Sequence, residues 1–382
     1  MDLITNLFAT DGFVLGVLVP FFFVLMIVIF IHELGHYLVG RWCGIGAKAF
    51  SIGFGPEIFG FTDRHGTRWR FSAIPLGGYV RFIGDMNVAS TKADMDEGLF
   101  EAERARSFHN KPVWKRAATV FAGPAANFIL AIVIFTMIFS VWGRTVADPV
   151  VSTVQENSAA AEAGIEPGDV FVALDGTPVE TFAQVQRYVG PRADVPIAMQ
   201  LRRNDALVEI SITPQRLEIE DQFGNRMEQG VIGVVADRED ASFRTRDYSL
   251  TEAFFESFRE TGYVIARTGG YLAGVITGRE RADQIGGPIR VAQVSGQVAT
   301  LGWLALVNLV AILSISIGLL NLLPVPVLDG GHLMFYAAEA LRGRPLSENA
   351  QEIGHRIGFA MILGLMVFAT WNDITMLMSR GS

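Results

Sequence analysis

Apolar positions in this chain gather into four long runs, and between the runs the pattern shortens and alternates. Residues 12–31 are twenty positions without a charge, enough at about 1.5 Å per residue for a helix to cross a bilayer core. Residues 117–143 form a second uncharged run. The third, 291–328, meets Pro324 and Pro326 near its end, so its spanning helix is expected at 303–323. The fourth, 357–372, is sixteen residues, short for a span, and is expected to extend to Met378 with Asp373 near an interface. Elsewhere, residues 69–83 alternate around Pro75-Leu76-Gly77-Gly78, which predicts a hairpin turning there. Residues 150–214 read as a small α+β domain. Its turns are Pro167-Gly168-Asp169 and Asp175-Gly176, its helices 158–163 and 181–189, and its main strands 170–174, 197–202 and 207–212. Ser249 and Glu252 form a capping box ahead of an amphipathic helix with Phe254, Phe258 and Ile265 on one face. Residues 262–278, the one other candidate span, carry Arg267 and several glycines and belong to that surface helix.

Composition agrees with membrane spans. Half of the residues are hydrophobic and 18% are charged, against about 25% in soluble domains. A disordered chain would need the reverse balance. A net charge of −8 without a basic run disfavours nucleic-acid binding. Cys43 is the single cysteine, which excludes an internal disulfide, a Cys-rich zinc finger and an iron–sulfur cluster. Residues 43–116 hold eleven Lys and Arg, including all four lysines, and the residues ahead of the first run hold none. The positive-inside rule puts this loop in the cytoplasm and the N-terminus outside. Residues 144–299, with 15 Arg and 23 Asp and Glu, then lie outside, as does the C-terminus. Long segments translocate regardless of charge.

The first run ends in His32-Glu33-Leu34-Gly35-His36. Histidines at i and i+4 lie one above the other on a helix and can share one metal ion, with the intervening Glu placed to take a proton from water. Ionisable groups at the edge of a spanning helix are costly and usually functional. The bland reading is three polar residues marking the helix's emergence from the membrane. Zinc catalysis needs three protein ligands and one open position. The candidate third ligand is Asp329, in the Pro-interrupted stretch 321–332, where the prolines are expected to force extended backbone. Three spans bring it to the same side as His32 and His36. Asp329 also reads as a helix N-cap, and His332 is a rival ligand. His65, His109 and His355 read as surface residues.

Together these residues resemble the site-2 protease family of intramembrane zinc metalloproteases, most closely its bacterial RseP-type group with a PDZ domain. The resemblance is carried by the 32–36 motif, Phe54-Gly55-Pro56, Pro75-Leu76-Gly77-Gly78-Tyr79, Phe121-Ala122-Gly123-Pro124-Ala125-Ala126-Asn127, Gly286-Gly287-Pro288-Ile289 and 321–330. It implies a Zn2+ enzyme with His32, His36 and Asp329 as ligands and Glu33 as catalytic base. The run Ala163-Gly164-Ile165-Glu166-Pro167-Gly168-Asp169 resembles a PDZ domain; the family often carries two, and one is found here. The hairpin glycines Gly77 and Gly78 are expected to pair with unwound substrate. Asn127 is expected to stabilise an oxyanion or to hold helices together, and Asn321 to bind substrate backbone.

The expected fold is a polytopic α-helical membrane protein with about four transmembrane helices, a membrane-associated β-hairpin and one extracytoplasmic PDZ (α+β) domain. Its parts are 1–42 with the His-Glu motif, a loop with the hairpin at 43–112, and a second span at 113–143. The PDZ domain follows at 146–216, then a linker with the amphipathic helix at 217–299. The third span and Asp329 occupy 300–330, and a cytoplasmic loop with the fourth span occupies 331–382. The resemblance implies a bacterial inner membrane, periplasmic termini and single-pass transmembrane substrates such as an anti-sigma factor or signal-peptide remnants. It also implies a peptide ligand for the PDZ domain. Three rivals are weighed: a catalytically inactive PDZ scaffold, a peptidase of surface peptides, and a metal transporter. The intact Glu33, the motif's place at the end of a span, and the lack of inverted repeats argue against each in turn.

Overall fold

The computed structural model describes residues 14–84, 101–220, 226–236, 243–278, 282 and 285–380; the expected start of the first span at Gly12 lies outside them. The chain divides into two compact units, Met1–Ile138 with Leu250–Ser382, and Phe139–Ser249. The first contains helix α1 (Val19–Trp42), strands β1 (Ala47–Thr62) and β2 (Arg68–Phe82), and most of α2 (Val113–Trp142). It continues with α3 (Leu250–Ile276), α4 (Pro288–Thr300), α5 (Trp303–Asn321), α6 (Asp329–Arg342) and α7 (Glu348–Arg380).

Among the described residues four helices are long and apolar enough to cross a membrane: Leu15–Trp42, Val113–Trp142, Trp303–Asn321 and Asn349–Met378. Each coincides with one of the apolar runs. The fourth ends at Met378 as expected and begins earlier than its run, at Asn349; Asp373 stays inside the helix because its carboxylate is hydrogen-bonded. It is 3% exposed and accepts the Gly287 and Arg290 N–H groups at 2.9 and 3.0 Å, at the N-terminus of α4. Orphan donors and a positive dipole end make that position favourable for a carboxylate.

Small residues let α1 and α2 approach closely. A Cβ on Gly35 would strike the Ala122 carbonyl, and one on Gly40 would sit 3.2 Å from Thr119 Cγ2. Such contacts are the usual means of helix association in lipid. Below them Tyr37, Ile45, Ala47, Phe50, Phe82 and Phe108 form a buried cluster, with Trp69 stacked on Phe50 at 4.3 Å.

The sheet departs from the expected hairpin. β1 and β2 are joined by a turn at Asp63, whose carboxylate accepts the His65 and Thr67 N–H groups, Tyr37 Oη and Trp69 Nε1. Burial opposes ionisation there, but these donors bring the Asp63 carboxyl down to about 2. Pro75–Gly78 is a bend inside β2 instead. Phe50 pairs with both Val80 and Trp69, and Ser51 with both Tyr79 and Arg70. The two long strands thus fold into four segments side by side, 57–62, 68–72, 49–52 and 78–82. A local Pro-Leu-Gly-Gly signature proposes a turn, but burying Phe50 and Trp69 in one cluster decides the pairing.

The second unit is built on a four-stranded sheet in the order 177–178, 170–174, 197–203, 206–212. Helix Phe182–Val189 starts at a complete capping box of Thr181 and Gln184 and turns Phe182, Val185 and Val189 into the core with Phe171, Leu174, Ile197, Met199 and Leu201. The turns fall at Asp175-Gly176 and Asn204-Asp205, all at positive φ. The unit extends past residue 216: strands 215–220 and 226–231 pair with each other, and Phe243–Arg246 pairs with Arg144–Ala147.

Candidate active site

The stretch expected to be extended before Asp329 is two tight turns. Val325 N–H closes on the Leu323 carbonyl at 2.7 Å and Leu328 N–H on the Val325 carbonyl at 3.0 Å. Pro326 sits second in the latter turn and Val327 third, at φ 101, a strained position for a β-branched residue. Gly330 and Gly331 are required: a Cβ on either would strike the carbonyls of Leu322, Leu323 or Val325. The folded-back chain therefore lies directly on the first turn of α6. Leu328, not Asp329, is its N-cap residue, and no side chain caps the helix. Asp329 is the first helical residue, so its carboxylate has the favourable end of the helix dipole and is free to point elsewhere.

It points at the two histidines. Asp329 Oδ2 lies 3.2 Å from His32 Nε2 and 3.6 Å from His36 Nε2, and the two Nε2 atoms are 3.1 Å apart. These three residues form the one group of three or more potential ligands that converge within 4.8 Å among the described residues. Asp329 Oδ2 is buried and accepts no hydrogen bond. A buried carboxylate oxygen without a donor is costly, and a cation at the centre of the triangle would satisfy it. The three separations match the roughly 3.3 Å between ligands of a tetrahedral zinc ion with bonds of about 2.0–2.1 Å. Two imidazoles and one carboxylate are a donor set that leaves a fourth position open.

Both rings are held from behind. His36 Nδ1–H donates to the Thr119 carbonyl of α2 at 2.9 Å. His32 Nδ1 faces the Asn127 carboxamide of α2 at 3.3 Å. A Cβ on Gly123 would collide with the His36 ring and come within 2.9 Å of His32 Cε1, so only glycine lets α2 pass there. Glu33, half-buried beside the cluster, accepts a hydrogen bond from the Val80 N–H of β2. Gly78 lies against it too, its ideal Cβ position 3.1 Å from Glu33 Cγ. Asn321, the last residue of α5, brings Nδ2 to 3.4 Å of His32 Nε2.

The remaining sequence candidates lie apart from the cluster. Gly77, at φ 111, faces the Phe54 ring. The His332 ring meets that of His355 at a tilt of 56° with centroids 5.3 Å apart, and His355 is half-buried where a surface residue was expected. His65 and His109 are exposed. Thr119, Gly123 and Val80 escaped the sequence reading because they act through backbone atoms or through having no side chain. Its place in Phe121-Ala122-Gly123-Pro124-Ala125-Ala126-Asn127 is the one sequence signal for Gly123.

A model of peptidase family M50 matches residues 20–365. The chain belongs to that family. The Agrobacterium fabrum protein Atu1380, provisionally named a zinc metalloprotease, is 58% identical over 97% of this chain and 99% of its own length. The similarly named R01501 of Rhizobium meliloti is 54% identical, covering 94% and 96%. The metalloprotease MmpA of Caulobacter vibrioides is 40% identical, covering 95% and 96%. A solved PDZ domain of a Listeria monocytogenes SdrC-like protein aligns over 22% of this chain and 82% of its own, with 17% identity and a TM-score of 0.18. That last likeness is too slight to bear on the fold. As an M50 peptidase of the site-2 protease kind, the chain is a zinc-dependent membrane metalloprotease.

Proposed function

We propose that this M50 peptidase cuts transmembrane segments of single-pass proteins, with zinc held by His32, His36 and Asp329 and Glu33 as general base. The carrying observation is the convergence of those three ligand atoms at the end of an apolar helix, around a buried carboxylate oxygen that lacks a donor. Bound there, zinc supplies a Lewis acid that polarises a carbonyl and acidifies water. The chain's own residues do the rest. Glu33, fixed by the Val80 N–H, takes the proton of the attacking water and passes it to the leaving amine nitrogen. Asn321, beside His32 Nε2, donates to the scissile carbonyl oxygen. A helical substrate must unwind to be cut, and its freed backbone groups need partners. The outer segment 78–82, which runs past Glu33, offers a strand edge for them.

The charge asymmetry of the loops supports an active site opening to the cytoplasm of a bacterial inner membrane, with termini and second unit on the periplasmic side. The four-stranded sheet with its capped helix supports reading residues 146–216 as a PDZ domain that admits trimmed substrates and rejects bulky ones.

The test is cleavage of a tagged single-pass substrate, its ectodomain already trimmed, by purified protein in detergent. Wild type should cut within the span and stop when zinc is chelated. Glu33→Gln should keep stoichiometric zinc and lose turnover by several orders of magnitude. Cleavage by Glu33→Gln at the wild-type rate would exclude the assigned base. Undiminished zinc in Asp329→Ala would exclude the assigned ligand set.

A further inference from the structure

The proposed zinc site leaves Asn127 with a puzzle. Its side chain is completely buried, and its amide nitrogen lies 3.3 Å from His32 Nδ1, on the side of the ring turned away from the ligand cluster. Its Oδ1 has no partner. In this orientation His32 Nδ1 must accept, which places the ring proton on Nε2. Yet Nε2 is the atom that converges with His36 Nε2 and Asp329 Oδ2. A nitrogen that carries a proton has no lone pair for a metal. A half-turn about the Asn127 Cβ–Cγ bond exchanges oxygen and nitrogen without changing the side chain's shape. Either orientation leaves one buried amide atom alone, so counting hydrogen bonds does not choose between them. Ligand chemistry does: His32 binds through Nε2 only if Nδ1 keeps its proton and has an acceptor for it.

We infer that Asn127 is a positioning residue of the metal centre: its carbonyl oxygen accepts the His32 Nδ1–H and fixes the tautomer that ligates through Nε2. The inference rests on the zinc-site reading above. His36 has the same arrangement with a different acceptor, the Thr119 carbonyl about two turns earlier in α2. Both ligand histidines are then backed by oxygens of α2, one from the main chain and one from a side chain. Asn127 does not reach the open side of the cluster, so it does not bind the reacting carbonyl. That part belongs to Asn321, which faces His32 at Nε2. Ser314 Oγ donates to the Asn127 main-chain carbonyl at 2.9 Å, which anchors the backbone beneath the amide and leaves its side chain to His32.

Donor and acceptor roles separate experimentally. Asn127→Leu keeps the shape and removes the acceptor; Asn127→Asp keeps an acceptor and removes the donor. Full-length protein in detergent is titrated with zinc against a competing chelator, and the thermal midpoint of the zinc-free protein is recorded alongside. The expected result is zinc affinity weakened by about 10–100-fold in Asn127→Leu, the usual effect of losing a group that orients a metal ligand. The zinc-free midpoint should stay within a few degrees, and Asn127→Asp should bind zinc within a few-fold of wild type. Asn127→Ala replaces the Leu variant if that one does not fold. Normal zinc affinity with turnover lost in both Leu and Asp variants would overturn the inference in favour of a donor to the substrate. Normal affinity with a lowered midpoint in both would overturn it in favour of helix packing alone. His32→Ala is run in parallel: zinc bound to it as to wild type would instead sink the underlying zinc-site reading.

Discussion

Glycine 123 shows how strictly the site is specified at single positions. α2 crosses the histidine pair so closely that one methyl group there would overlap the His36 ring. The clash is with two rings that cannot rotate away, because each is held at Nδ1 from α2 itself. Gly123→Ala is therefore expected to displace His36 and to weaken zinc binding at least as much as loss of an orienting group, about 10–100-fold. Folding should survive, since Ala is a better helix former than Gly by about 1 kcal/mol. Chelator competition together with a thermal melt checks both halves; unchanged zinc affinity would mean that the helices can separate by the width of a methyl group. Residues with distinctive side chains were legible from sequence: the His-Glu-x-x-His spacing and the lone Asp329 in a Pro-broken apolar run announce themselves. Thr119 and Val80 were not, since any residue supplies the carbonyl or N–H they contribute. Asn127 was noticed as an amide in an apolar helix, but which nitrogen of which ring it faces is a fact of three dimensions.

Among the elements, the helices and the strands of the second unit were readable, and the pairing of β1 with β2 was not. An apolar run of spanning length has one stable answer in lipid, a helix, because no other conformation satisfies its own backbone there. The fourth span reaches Met378 as expected; its start at Asn349 was missed because Glu352, His355 and Arg356 interrupt the apolar run there, and the N–H groups of Gly287 and Arg290 that receive Asp373 are far away in sequence. The sheet's turn depended on which aromatic residues share a core, which spacing does not encode. Attachment of α6, the helix that begins with Asp329, is equally nonlocal. Near its far end Glu339 meets Arg116 at the start of α2 in a two-pronged pair of 2.6 and 3.2 Å, and Arg116 lies 5.0 Å over the Tyr336 ring. Both side chains are largely buried. Removing one partner of such a pair leaves an uncompensated charge and costs about 3–5 kcal/mol, whereas replacing both with apolar groups is often neutral. Arg116→Met and Glu339→Leu should each lower the thermal midpoint sharply, and the double variant should recover most of the loss. Additive losses in the double variant would show that the two side chains act separately.

On the scale of the whole molecule, the two compact units invite separate tests of catalysis and selection. The second unit has its own apolar core and an ion pair between a buried carboxylate and a part-exposed guanidinium. Asp169 is 1% exposed and accepts Arg203 Nε at 2.7 Å and Nη2 at 2.6 Å, along with the Glu166 N–H at 2.9 Å. Burial works to raise the Asp169 carboxyl, and the Arg203 guanidinium and the Glu166 N–H overcome it, holding the group below the ordinary carboxylate range. A depressed folded-state pKa contributes stability above the unfolded value, about 3.9, and that stability is lost as the pH falls below it. Arg203→Ala removes the compensating cation at neutral pH and leaves a carboxylate buried with a single donor. The thermal midpoint of the second unit is expected to fall. In the full-length enzyme the proposed zinc ligands all lie in the other unit, so Arg203→Ala should bind zinc normally and still cut a trimmed substrate. If the second unit selects substrates by capturing peptide in a folded groove, this variant should lose the preference for trimmed over untrimmed substrate measured with wild type. A preserved preference, with limited proteolysis showing the unit unfolded, would make that unit a spacer and move selection to the membrane unit itself.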